Sequence, residues 1–146
     1  MKNKKKMKIL ITCRLMSGLR DSIVKANWNP SGSPAIYKLI ETLIKDNNEV
    51  RIIFTAKESG FDYKDMWKEK IDKEFKIKGL DAKVIVLTGV RKIPTIFGRF
   101  RGHISSIRQV IKIWIFQKKF KPEVVYIDRS NILAGSIISR LTNIPV

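Results

Sequence analysis
Four short apolar runs, alternating with helical segments, predict an α/β domain built on an open parallel sheet with helices on both faces. Three observations carry this. The runs are flat and almost wholly apolar, as in strands buried on two sides. The segments between them carry helical spacing. The order is β-α-β-α-β-α-β-α throughout, with no repeat or low-complexity stretch. At 146 residues the chain has the length of one domain.

Lys8 to Cys13 reads as the first strand, followed by a long polar loop from Ser17 to Ser33. The helix "SPAIYKLIETLIKDNN" comes next. Ser33 can cap it, and Pro34 suits a first helical position, where no amide hydrogen is needed. Ile36, Leu39, Ile40, Leu43 and Ile44 form its apolar stripe, and Asn47-Asn48 end it. "EVRIIFTA" is the second strand. Tyr63 to Phe75 is expected as a charged amphipathic helix, with Trp67, Ile71 and Phe75 on one face. "AKVIVLTGV" is the third strand. A basic loop from Arg91 to Gly102 leads to a helix from about Ile104 to Lys119. Pro122 separates that helix from the fourth strand, Glu123 to Ile127. Asp128 to Asn131 is a polar turn, and Ile132 to Leu141 is a final helix.

Composition bounds the function. A hydrophobic fraction of 44% argues for a folded core. The 30 Lys+Arg against 13 Asp+Glu give a formal charge of +17, which points to an anionic partner: nucleic acid, membrane or phosphorylated substrate. Cys13 is the sole cysteine and fits a buried strand in a reducing compartment. The N-terminal "MKNKKKMKILITCRLMSG" is not expected to act as a signal peptide, because its apolar run is short and Arg14 interrupts it. No segment reaches the ~20 apolar residues of a spanning helix. The expected location is cytoplasmic, with peripheral binding at the inner face of the plasma membrane as an option.

Ligands of open parallel sheets collect beyond the carboxyl ends of the strands, as in Rossmann-like folds. No G-x-G-x-x-G and no Walker motif occurs in the first loop, which argues against dinucleotide and P-loop chemistry. That loop does hold Ser31-Gly32-Ser33 before a helix N-terminus, suited either to a phosphate or carboxylate or to a plain capped turn. At the end of the fourth strand Asp128, Arg129, Ser130 and Asn131 could hold a sugar or share a proton. Alternatively, Asp128 or Ser130 caps the next helix. His103 is the only histidine and has no second ligand near it, so no metal site is expected, nor a cofactor.

Together these pieces resemble the N-terminal half of a GT-B glycosyltransferase, most similar to glycosyltransferase family 4. The matching stretches are "MKILITCRL", "SGSP", "AIYKLIETLIKDNNEVRIIF" and, most specifically, "KPEVVYIDRSNILAGSIISRLTNIPV". The resemblance spans nearly the whole chain. It implies the first of two Rossmann-like domains, the acceptor-side half, with residues 1–146 cut off before a fifth strand and the donor-binding domain absent. A nucleotide-sugar donor and a glycan or lipid-linked acceptor are the implied partners of the complete enzyme. Gly32 matches the family's loop glycine, whose amide would face the donor phosphate. Tyr126 and Asp128 occupy the family's His-x-His positions, which would make Asp128 the catalytic-site residue. The isolated half is expected to be inactive.

Between Ala82 and Pro122 there is no Asp or Glu, while ten Lys and Arg residues occur. At ~100° per residue, Arg108, Lys112 and Lys119 form one stripe of the helix. Ile104, Ile107, Ile111 and Trp114 lie on one side of it, as a core face should. Phe116 and Phe120, with Ile113, lie on the other side, expected to face an anionic membrane or the remainder of the protein. Two rival readings are a basic nucleic-acid-binding module and a scaffold subunit completed by a separate partner. Nucleic acid is disfavoured because no recognised binding signature is present.

Overall fold
The computed structural model of the protein describes residues 6–32, 35–56, 70–89 and 100–146. Five strands make one sheet: β1 (Lys8–Arg14), β2 (Glu49–Ala56), β3 (Glu74–Ile77), β4 (Leu80–Thr88) and β5 (Val124–Ile127). The helices are α1 (Arg20–Val24), α2 (Ala35–Lys45), α3 (Arg101–Phe120) and α4 (Ile132–Leu141). The short α1 lies inside what the sequence presents as one long loop.

The strand order is β3-β4-β2-β1-β5. The four expected strands are parallel neighbours: β1 pairs with β2 and β5, and β2 pairs with β4. The sheet is nevertheless mixed, because β3 pairs antiparallel with β4. Most of the helix expected over Tyr63 to Phe75 falls on residues 57–69, outside the described residues. Its end is strand, since Glu74 and Phe75 belong to β3. Lys78-Gly79 makes the tight turn into β4, with Gly79 at φ 84°, a left-handed conformation that suits glycine. Glu74 then meets Arg51 at 2.7 Å and Lys83 at 3.4 Å across the ladder.

Side chains alternate between two cores, as the pleat requires. Ile9, Ile11 and Cys13 of β1 join Ile52, Phe54, Val84 and Val86 on the side covered by Ile23 of α1 and Ile40 of α2. Leu10, Ile53, Ile85 and Leu87 face the other way, against Ile113 and Phe120 of α3 and Ile138 of α4. Flat apolar strands therefore do report helices on both faces. Beyond α4 the chain returns to the sheet, and the Val125 amide donates to the Pro145 carbonyl at 3.0 Å.

α3 sits on the sheet with the opposite face from the one its sequence pattern suggests. Ile113 and Phe120 are buried, and Phe116 is half-buried against the same core. Ile104, Ile107, Ile111 and Ile115 are exposed. Both stripes have helical spacing, so periodicity cannot choose between them. The face with two phenylalanines buries more area. It also turns Arg108 toward Asp72 and the Thr88 carbonyl, both at 2.5 Å. The expectation that Phe116 and Phe120 face a bilayer is thereby corrected: they are core residues. Arg108 and Lys112 are likewise committed to Asp72, Lys112 at 3.8 Å, while Lys119 is exposed.

Candidate functional site at the carboxyl ends of the strands
After β1 the chain runs toward α2 on one face, and after β5 it runs into α4 on the other. The two exits diverge between neighbouring strands, which opens a crevice beyond the carboxyl ends of β1 and β5. In such sheets this switch in winding direction is where ligands sit. On the far side, α3 closes the sheet's edge. Arg108 donates to the last carbonyl of β4, and Gln109 Nε2 lies 3.5 Å from the last carbonyl of β2.

The wall of the crevice after β5 is a hydrogen-bonded cluster. Asp128 Oδ2 accepts the Arg14 amide at 2.7 Å, and Oδ1 accepts Asn131 Nδ2 at 3.0 Å. The same Asn131 nitrogen reaches Thr55 Oγ1 at 3.2 Å, and Asn131 is buried. Thr55 Oγ1 in turn lies 3.5 Å from the Cys13 carbonyl. One short turn thus ties β1, β2 and β5 together at their carboxyl ends. Both Asp128 oxygens accept these bonds, so the residue positions the Arg14 backbone and Asn131. Arg129 is exposed beside it, and Ser130 lies in the same turn. A small cleft of about 80 Å³ opens next to Asn131, between Gln109 and Ile113 of α3 and Leu133 of α4.

The wall after β1 is built around Gly18. The Ser31 amide donates to the Gly18 carbonyl at 2.9 Å, and a Cβ added at Gly18 would stand 2.0 Å from the Ser31 carbonyl oxygen. Only glycine lets these backbones meet so closely. Ser31 and Gly32 follow on the surface, Gly32 at φ 83°, and Ser33 lies outside the described residues. The rest of the loop is pinned too. The Asn29 amide donates to buried Ser22 Oγ at 3.0 Å, and the Trp28 amide to the Lys78 carbonyl at 2.8 Å. Trp28 Nε1 donates to Glu41 at 2.8 Å, and its ring meets Tyr37 edge-on at 6.2 Å.

Electrostatically, Cys13 and Tyr37 are the perturbed groups among the described residues, and Cys13 is the one beside the cluster. Burial, and then the nearby charge of Asp128, push its thiol far above the usual range. It is a packing residue and not a nucleophile. Among the described residues no group of His, Cys, Asp and Glu could hold a metal ion, and no helix is long and apolar enough to cross a membrane.

Ser31 and Gly32 lie in the exit from β1, and Asp128, Arg129, Ser130 and Asn131 in the turn after β5, at the carboxyl ends of neighbouring strands. The sequence does not reveal Gly18, Thr55 or Asp72. The signals are faint: a Ser-Gly pair after β1, one threonine near the end of an apolar strand, and one acid within a run of mixed charges. No family model, curated protein or solved structure matches the chain.

Proposed function
We propose that the chain is the acceptor-side half of a GT-B glycosyltransferase, moving a sugar from a nucleotide-sugar donor to a glycan or lipid-linked acceptor. One observation carries the reading. The parallel order β4-β2-β1-β5, with exits from β1 and β5 on opposite faces, opens a polar crevice at the place where Rossmann-like sheets bind ligands. The Val125–Pro145 bond, which lays "IPV" along the outer edge of β5, supports the same reading. Antiparallel β3 is an edge addition, and such sheets commonly carry one.

On this reading the Gly32 amide faces the donor phosphates, the Ser31 amide being already bonded to the Gly18 carbonyl, while Arg129 and the Asp128–Asn131 turn meet the acceptor sugar. Asp128 acts as a positioning residue because both of its oxygens already accept hydrogen bonds. Catalysis requires a donor-binding half, and the chain alone is inactive. The test is an NMR titration with UDP-glucose, UDP-N-acetylglucosamine and GDP-mannose, with calorimetry alongside. Weak binding that shifts the amides of Gly18, Ser31, Gly32 and Asn131 is expected. Shifts confined to α3 and α4 would overturn the location of the site. A dissociation constant in the low micromolar range would mean a complete donor site within this chain, and would overturn the half-enzyme assignment.

A further inference from the structure
We infer that α3 and α4 form a surface that docks on anionic membranes, with the isoleucine ridge of α3 entering the headgroup region. The ridge is Ile104, Ile107, Ile111 and Ile115, the last three each more than half exposed. At ~100° per residue the four fall within about 80° of arc, directly opposite buried Ile113 and Phe120. Beside the ridge, Ile107, Ile111 and Trp114 of α3 face Leu133, Ile137 and Leu141 of α4 across a groove of about 300 Å³ with no polar lining. Ridge and groove make one continuous apolar surface, larger than scattered exposed side chains would give.

Charge selects the occupant. Neither helix contains an Asp or Glu, and Lys118, Lys119 and Arg140 are exposed on them. Lys118 lies 4.9 Å from the centre of the Trp114 ring, so a cation stands directly over the groove wall. Two copies meeting on this face would bring like charges together, on chains that each carry +17. A partner helix would fill the concave groove, but Ile104 and Ile115 are not among the residues that line it. A fluid anionic surface covers ridge and groove together, with cations at the phosphates and isoleucines just below. The inference is independent of the glycosyltransferase reading.

Flotation of the full chain with phosphatidylcholine vesicles, with and without phosphatidylglycerol, tests it at low and high salt. The chain should float with the anionic vesicles only, and less so at high salt. Ile107→Ser with Ile111→Ser should lower partitioning by roughly tenfold per residue at every salt concentration. Lys118→Gln, Lys119→Gln and Arg140→Gln together should lower it by about 10²-fold at low salt, and much less at high salt. All five side chains are at the surface, so unchanged thermal melting is the control for folding. Failure of the unmutated chain to float would overturn the proposal without recourse to any variant. So would isoleucine variants that float normally, or a dimer in light scattering that the isoleucine changes dissolve. Retention on DNA without flotation would assign the charge to nucleic acid instead.

Discussion

Truncating Phe120 should unfold much of this domain's margin of stability, whereas truncating Ile111 on the same helix should hardly register. Phe120 is 3% exposed, closes the core between α3 and the sheet, and carries the Arg51 guanidinium 4.4 Å from its ring centroid. Removing such a ring costs about 3–5 kcal/mol from lost burial and the cavity left behind. The cation stacked on it contributes about 0.5–2 kcal/mol, part of which overlaps with that figure. Against a typical total of ~5–15 kcal/mol, Phe120→Ala removes roughly a fifth or more. Phe120→Leu fills most of the space and should cost only about 1–1.5 kcal/mol, which keeps a folded variant available. Ile111 is 53% exposed and lies in none of the buried clusters, so Ile111→Ala should cost about 0.5 kcal/mol or less. Urea unfolding followed by circular dichroism separates these. With a slope of ~1–3 kcal/mol per molar, Phe120→Ala should move the midpoint by more than ~1 M and Ile111→Ala by a few tenths. If Ile111→Ala were the costlier change, α3 would sit turned by half a revolution. The placement of both the core and the ridge would then fail together.

Two other expectations concern the first strand and its exit. Gly18→Ala should destabilise by about 1–3 kcal/mol, since the added methyl meets the Ser31 backbone and not a side chain that can swing away. A gain of ~0.4–1 kcal/mol, the usual result where alanine fits, would show that the close approach is absent. The second is a pH dependence set by Cys13. Its folded thiol is held neutral by burial above all, while the unfolded thiol ionises near its ordinary value of 9.0. Below that value both states are neutral and the group contributes no slope. Above it the unfolded state alone loses the proton, so stability should fall by about 1.4 kcal/mol per pH unit. Tyr37, also raised mainly by burial, adds to the fall above its ordinary value of 10.0. Urea midpoints between about pH 8 and pH 10.5 should show this decline, and Cys13→Ala should remove the earlier part of it. A flat profile would mean that the thiol is solvated in the folded chain.

How far the sequence could be read depended on the range of the contacts. Strands β1, β2, β4 and β5 were legible because each is an unbroken apolar run, and apolar runs on both pleat faces demand cover on both sides. β3 was not, because Phe75 lies four residues after Ile71 and eight after Trp67, which fits a helix as well as its alternation with Ile77 fits a strand. Pairing with β4 decided between them. α3 was legible as a helix, but its rotation was not, because two apolar stripes of similar length flank the same cations. Asp72, 36 residues away in sequence, sits where it holds Arg108. The site followed the same rule. The polar cluster at Asp128 to Asn131 was visible as composition, whereas its bonds to Arg14 and Thr55 span 114 and 76 residues. Only the parallel register could bring them together.

The sheet's two borders have a consequence for how the chain behaves when crowded. β3 offers four residues, with Lys76 and then Lys78 exposed along its rim. β5 also has four, and the Val125 amide is already taken by Pro145, a residue that has no N–H to pass the pairing on. A strand from another molecule therefore finds a short, cationic border on one side and a proline-blocked one on the other. The long apolar strands that would nucleate cross-β stacking, β2 and β4, lie inside the sheet with neighbours on both flanks. Among the described residues, the sheet's borders therefore give cross-β growth little to build on, and β2 and β4 can nucleate it only once their neighbours have let go.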